Sequence, residues 1–126
     1  NIKHNNDWKG HALISGSYFG NIKCGAKSRN LEFNINIKEI WDLFLEQNGR
    51  CSITNLPLIF FTNHKNRTVQ TACLDRIDSN KGYSVDNIQW IHKIVNKMKM
   101  DFDQYYFIEQ CSKIHNYNLN KEIGND

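Results

Sequence analysis

No stretch of this chain approaches a membrane span: its longest apolar run, around Leu58 to Phe61, falls far short of the ~20 residues that cross a bilayer. No charged start, apolar middle and small-residue cleavage site marks a secretory leader. No Cys-x-x-Cys pair exists either. Cys24, Cys51, Cys73 and Cys111 lie 27, 22 and 38 residues apart, a spacing that excludes a zinc ribbon or a dithiol redox motif. A domain with one apolar core does not need disulfides, so the four thiols read as reduced, mostly core filler, in a cytoplasmic protein. A single proline and no repeat, low-complexity tract or Gly/Ser-rich segment leave no place for a linker.

What is present suits one compact unit. At 126 residues, 40% apolar and 12% aromatic, the chain has enough for one small core and too little for two domains. Sixteen Lys and Arg stand against thirteen Asp and Glu, a net charge of +3 that says little alone. Its distribution says more: +4 over residues 1–30, −2 over 31–62, +4 over 63–100 and −3 over 101–126. Two basic segments parted by an acidic one fit a polyanion such as nucleic acid, and also fit an ordinary solvated surface.

Residues 1–14 are polar and irregular, with Trp8 the one large anchor. The spacing of Tyr18, Ile22 and Ala26 predicts a helix over Ser17 to Arg29, weakened by Gly20 and Gly25 at roughly 1 kcal/mol each relative to Ala. A stronger helix follows. Asn36 is placed to cap it with Glu39 as its capping-box partner, Ile37, Ile40, Trp41, Phe44 and Leu45 form its stripe, and Gly49 ends it. A turn is expected around Asn55-Leu56-Pro57 and an exposed loop over 62–67. Strands are expected over Thr68 to Ile77 and Ile88 to Ile91, separated by the turn chemistry of Asp78 to Tyr83. A helix over His92 to Met100 would bury Ile91, Val95 and Met98 and expose Lys93, Lys97 and Lys99. A last helix spans Phe102 to His115, with Tyr106, Phe107 and Cys111 as buried candidates. Trp41 and Trp90 read as core.

Strand, loop, strand and helix within residues 74–99 bring a carboxylate on the first strand near an amide oxygen on the helix. A hard divalent cation accepts sparse oxygen coordination completed by water and phosphate, and flanking lysines suit a phosphodiester. The strings Leu74-Asp75-Arg76-Ile77-Asp78, Lys81-Gly82-Tyr83, Asp86-Asn87-Ile88-Gln89-Trp90 and Asn96-Lys97-Met98-Lys99 resemble the HNH, or ββα-metal, endonucleases, especially the phage and mobile-intron branch. Gln47 to Leu58 is similar to the family's entry segment, so the likeness covers roughly residues 17–100.

The resemblance implies a small α+β domain with a ββα-metal core: residues 1–50 as a helical part, 51–100 as the core and 101–126 as a helix and tail. It implies a DNA endonuclease using one Mg²⁺ or Mn²⁺, held by Asp75 and by Asn96 in the family's last His position. Asn87 would brace the loop. Arg76 replaces the His that takes a proton from water; always protonated, it suits phosphate instead. His92, Asp78 and solvent are the candidates for activating water, although His92 reads first as a structural histidine. Relatives hold zinc with two Cys-x-x-Cys knuckles. Here those positions read Cys51 with Thr54 and His92 with Val95, two ligands of four, so no structural zinc is expected. Lys23, Lys27, Arg29, Lys93, Lys97 and Lys99 are the candidate DNA contacts, or a solvated basic face. The alternative to an enzyme is a catalytically weak DNA-binding module of the same fold.

Overall fold

Short polar side chains start both early helices. In the computed structural model, which describes residues 9–60 and 70–124, Ser15 Oγ accepts the Tyr18 N–H at 3.0 Å and opens α1, Gly16–Ser28. The strand β1 is only Phe33–Asn34. Asn36 then caps α2, Ile37–Glu46, with the full reciprocal box: Asn36 Oδ1 accepts the Glu39 N–H at 2.8 Å and Glu39 Oε1 accepts the Asn36 N–H at 2.9 Å. The chain leaves α2 through Gly49 at φ +69°, a left-handed conformation that glycine adopts without strain.

After residue 70 come β2, Ala72–Arg76, then β3, Tyr83–Ser84, a 3₁₀ turn over Val85–Asn87, and β4, Ile88–His92. Two helices complete the α+β fold: α3, Lys93–Lys99, and α4, Gln104–Gly124. The strands β2 and β4 pair antiparallel with Asp75 opposite Gln89 and Ala72 opposite His92, and α3 follows at once. A second, parallel pair joins β1 to β3, with Phe33 opposite Tyr83. Sequence periodicity does not anticipate it, because two-residue strands carry no alternation to read.

The core forms where α1, α2 and β4 meet. Trp90 is fully buried and its indole N–H donates to the Ile40 carbonyl at 2.7 Å. Phe60 and Phe44 meet its ring edge-on, with centroids 5.0 and 6.0 Å away, and Tyr18 stacks at 6.2 Å. Ile88, Gln89, Trp90 and Ile91 are all buried, so β4 is covered on both faces.

Several expectations are corrected. The strand expected from Thr68 begins at Ala72; residues 68 and 69, the loop 62–67 and Trp8 lie outside the described residues. On α3 the buried positions are Val95 and Lys99, one turn apart, while Met98 is exposed; the helix is rotated so that a lysine, not the methionine, faces the sheet. The last helix runs on to Gly124, anchored by Phe107 and Cys111 at i, i+4 spacing, and Tyr106 is exposed. Cys24 is exposed, not core filler, while Cys51 is buried. No helix among the described residues is long and apolar enough to cross a membrane.

Candidate metal and phosphate site

A cavity of about 310 Å³ opens between α1, β2, the 78–83 loop and the end of α3. It is lined by Asp75, Arg76, Asn96, Arg29, Asp101 and Tyr83, with Leu74, Ser79 and Met100. Four of the residues singled out in the sequence therefore converge: Asp75 and Arg76 from β2, Asn96 from α3, and Arg29 from the C-cap of α1.

Each is positioned by an identifiable contact. Asp75 projects from the paired part of β2, where its partner Gln89 donates Nε2–H to Asp75 Oδ2 at 3.0 Å. Gln89 in turn donates to Gln104 Oε1 at 2.6 Å and accepts from Ser52 Oγ at 2.7 Å, which ties the carboxylate to α4 and to the segment after α2. Asn96 is half-buried, and among the described residues its side-chain amide has no hydrogen-bond partner. Arg76 uses Nη1 to donate to the Ser79 and Lys81 carbonyls at 2.6 and 2.9 Å, with the guanidinium carbon 5.5 Å from the centre of the Tyr83 ring. It thus pins the loop and lines the cavity together. Arg29 donates Nε–H to the Gly25 carbonyl at 3.1 Å.

Asn87 is 7% exposed and holds the loop by three bonds: Oδ1 accepts the Asp78 N–H at 2.9 Å, and Nδ2 donates to the Asp78 and Gly82 carbonyls at 3.1 and 2.8 Å. These three bonds tie the start of the loop to its end. Gly82 is needed beside it because a Cβ there would lie 2.5 Å from the Glu32 carbonyl oxygen, the same atom that accepts the Tyr83 N–H.

Other candidates lie elsewhere. His92 pairs opposite Ala72 rather than near Asp75, and its Nδ1 accepts the Ile94 N–H at 3.2 Å as the N-cap of α3. Asp78 Oδ1 accepts the Asn80 N–H at 2.9 Å in a local turn. Lys23 and Lys27 are exposed on α1 and Lys97 on α3, with Lys93 half-buried, and none of the four lines the cavity. At the knuckle positions Cys51 is buried beside the Thr54 N–H at 3.4 Å. Burial raises its thiol pKa, but hydrogen bonds from the Thr54 hydroxyl and from the His92, Thr54 and Ile53 backbone outweigh it and leave the pKa below the ordinary value.

Lys99 is the clearest correction. Expected on an exposed DNA-binding face, it is 1% exposed, with Nζ 2.6 Å from Asp75 Oδ2 and 3.1 Å from the Arg76 carbonyl oxygen. It is not available to a phosphate backbone in this arrangement. Its i+4 spacing from Val95 was the signal that could have placed it. Asp101 was also missed: the chain turns sharply at Met100 (φ +52°), and Asp101 then lines the cavity. Gln89 and Gln104 had no sequence signal, since their contact spans α4 and β4.

The donor chemistry fits a hard divalent cation. One carboxylate and one free amide face the cavity with a second carboxylate, and Mg²⁺ characteristically keeps several waters and uses only one or two carboxylates. Among the described residues no three His, Cys, Asp or Glu side chains gather, so water and phosphate would have to complete the shell. The Lys99 ammonium already neutralises Asp75. In comparisons with family models, curated proteins and solved structures, the chain has no match.

Proposed function

We propose that this chain is a DNA endonuclease with a ββα-metal core, the two-stranded unit β2–β4 with α3. The observation that carries the reading is the meeting of Asp75 and Asn96 with Arg29 and Arg76 on one cavity beside that unit. Such a set joins two oxygen donors for a cation to two guanidinium groups for a phosphodiester. The protein acts in the cytoplasm of a bacterial or phage-infected cell, where free thiols stay reduced.

In this reading Asp75 and Asn96 hold Mg²⁺ or Mn²⁺, which supplies charge stabilisation at the scissile phosphate when bound. Arg29 and the remaining donors of Arg76 bind nonbridging phosphate oxygens and orient the phosphorus. A water oxygen bonds to phosphorus as the bond to the 3′ oxygen breaks, and the departing 3′ oxygen takes a proton from solvent to leave as a hydroxyl. Asp101, the second carboxylate on the cavity, accepts the water proton, a role for which His92 and Asp78 stand in the wrong surroundings. The exposed Lys23, Lys27 and Lys97, with Lys93, extend the phosphate-binding surface.

Nicking of supercoiled plasmid with Mg²⁺ or Mn²⁺, abolished by chelator, tests the enzyme. Asp75→Asn and Asn96→Ala should each lose roughly a thousandfold or more in rate. Asparagine is the milder replacement for Asp75: it still offers the buried Lys99 an oxygen acceptor, but like alanine it removes that ammonium's counter-charge, a loss of up to about 3–5 kcal/mol, so circular dichroism must show the variant folded. DNA affinity should fall with salt, log K against log salt sloping by about −0.9 per phosphate contact. A flat salt dependence would overturn the nucleic-acid reading. The second reading, a binding module of the same fold, is favoured by Arg76 in place of a base. Steeply salt-dependent binding without nicking would select it.

A further inference from the structure

The buried Lys99 is not needed to build α3. It closes a seven-residue helix, and the same turn of the helix offers Met98, an apolar residue that is exposed instead. An ammonium removed from water demands compensation, and among the described residues Lys99 receives it from two oxygens, Asp75 Oδ2 at 2.6 Å and the Arg76 carbonyl at 3.1 Å. The dependence is mutual, because the Asp75 side chain is 10% exposed and the Lys99 ammonium is its counter-charge. Gln89 donates to the same oxygen at 3.0 Å, so Oδ2 already takes two donors.

A divalent cation at Asp75 needs that carboxylate's charge, whether it binds at Oδ1 or displaces the donors on Oδ2. It would also stand close to the ammonium, in surroundings where like charges are poorly screened. We infer that Lys99 is a resident cation that occupies Asp75, and that a divalent ion gains this carboxylate only in competition with it. Lys99 is therefore a positioning residue that neutralises Asp75 and keeps its carboxylate fixed, and lowers metal affinity in the DNA-free protein. This inference rests on the assignment of Asp75 and Asn96 as metal donors.

Mn²⁺ binding to the full chain without DNA, followed by loss of the free-ion electron paramagnetic resonance signal, tests it without any turnover. Lys99→Met removes the charge and keeps an unbranched side chain one atom shorter, and should bind Mn²⁺ about tenfold or more tighter than the parent. Lys99→Gln, which is neutral yet can still donate to Asp75, covers the case in which the methionine variant fails to fold, and should move the same way. Lys99→Arg should give no gain. The gain should vanish in Lys99→Met/Asp75→Asn. Added Mn²⁺ should also raise the melting temperature more in the neutral variants than in the parent, as linkage to binding requires. Equal or weaker Mn²⁺ binding in the neutral variants, with parent binding still lost in Asp75→Asn, would overturn the role of Lys99 and leave the metal assignment standing. A gain that survives Asp75→Asn would also overturn it. No Mn²⁺ binding by any form at millimolar ion would bring down the metal assignment and this inference together.

Discussion

Asn87→Ala should destabilise the protein by about 3 kcal/mol, although Asn87 contacts nothing that reacts. The side chain makes three hydrogen bonds across the 78–82 loop, at 2.8, 2.9 and 3.1 Å, from a position 7% exposed. Each is worth about 1 kcal/mol net, because the Asp78 N–H and the Asp78 and Gly82 carbonyls are only part-buried, which keeps each loss at the lower end of the ~1–3 kcal/mol range for an unpaired group. With an unfolding entropy of about 2.1 cal/mol/K per residue, 126 residues give roughly 0.26 kcal/mol/K, so the melting temperature should drop by about 11 °C. Calorimetry on a reversible transition measures this directly. Asn87→Asp separates hydrogen bonding from volume. It keeps the acceptor for the Asp78 N–H but turns a charged oxygen toward two carbonyls, so at pH 7 it should be at least as unstable as the alanine variant. Lowering the pH toward 4 should recover part of the loss, since a protonated acid donates again. A drop below about 3 °C for Asn87→Ala would refute the reasoning, because the three bonds would then be worth a third or less of their expected sum.

Two further outcomes follow from the core and the loop packing. Burial holds the Tyr18 hydroxyl well above its ordinary pKa, against the opposing effect of the Leu74 N–H that donates to it at 3.0 Å. The stability this proton contributes is fully present below the ordinary tyrosine value of about 10 and is lost as pH rises through the raised value. Absorbance at 295 nm should show one of the five tyrosines ionising only with alkaline unfolding, a component absent in Tyr18→Phe. Glycine substitutions should split in sign. Gly20→Ala meets no atom within 4 Å inside α1 and should gain up to about 1 kcal/mol, whereas Gly82→Ala must part β1 from β3 and should lose about 1–3 kcal/mol, both read from urea midpoints. Equal shifts for the two would show that the Gly82–Glu32 approach yields freely.

The elements with local causes were legible in the sequence. Asn36 and Glu39 three residues apart make a capping box whatever the rest of the chain does, and Ile37, Ile40, Trp41 and Phe44 fix the face that α2 buries. Thr, Val, Cys and Leu over residues 68–77 marked the first strand and the turn chemistry of 78–83 set it off from β4, and the string from Asp75 to Asn96 put those two residues on elements that pack together. Tertiary structure alone decided the rest. The β1–β3 pair exists because Gly82 lets the Glu32 backbone approach, a contact across fifty residues with no local pattern behind it. Lys99 looked exposed because lysine usually is, and one helical turn cannot tell its own rotation. Only the packing of α3 against β2 sets the ammonium on Asp75, where the desolvation of each charge is offset by the other and by the Arg76 carbonyl.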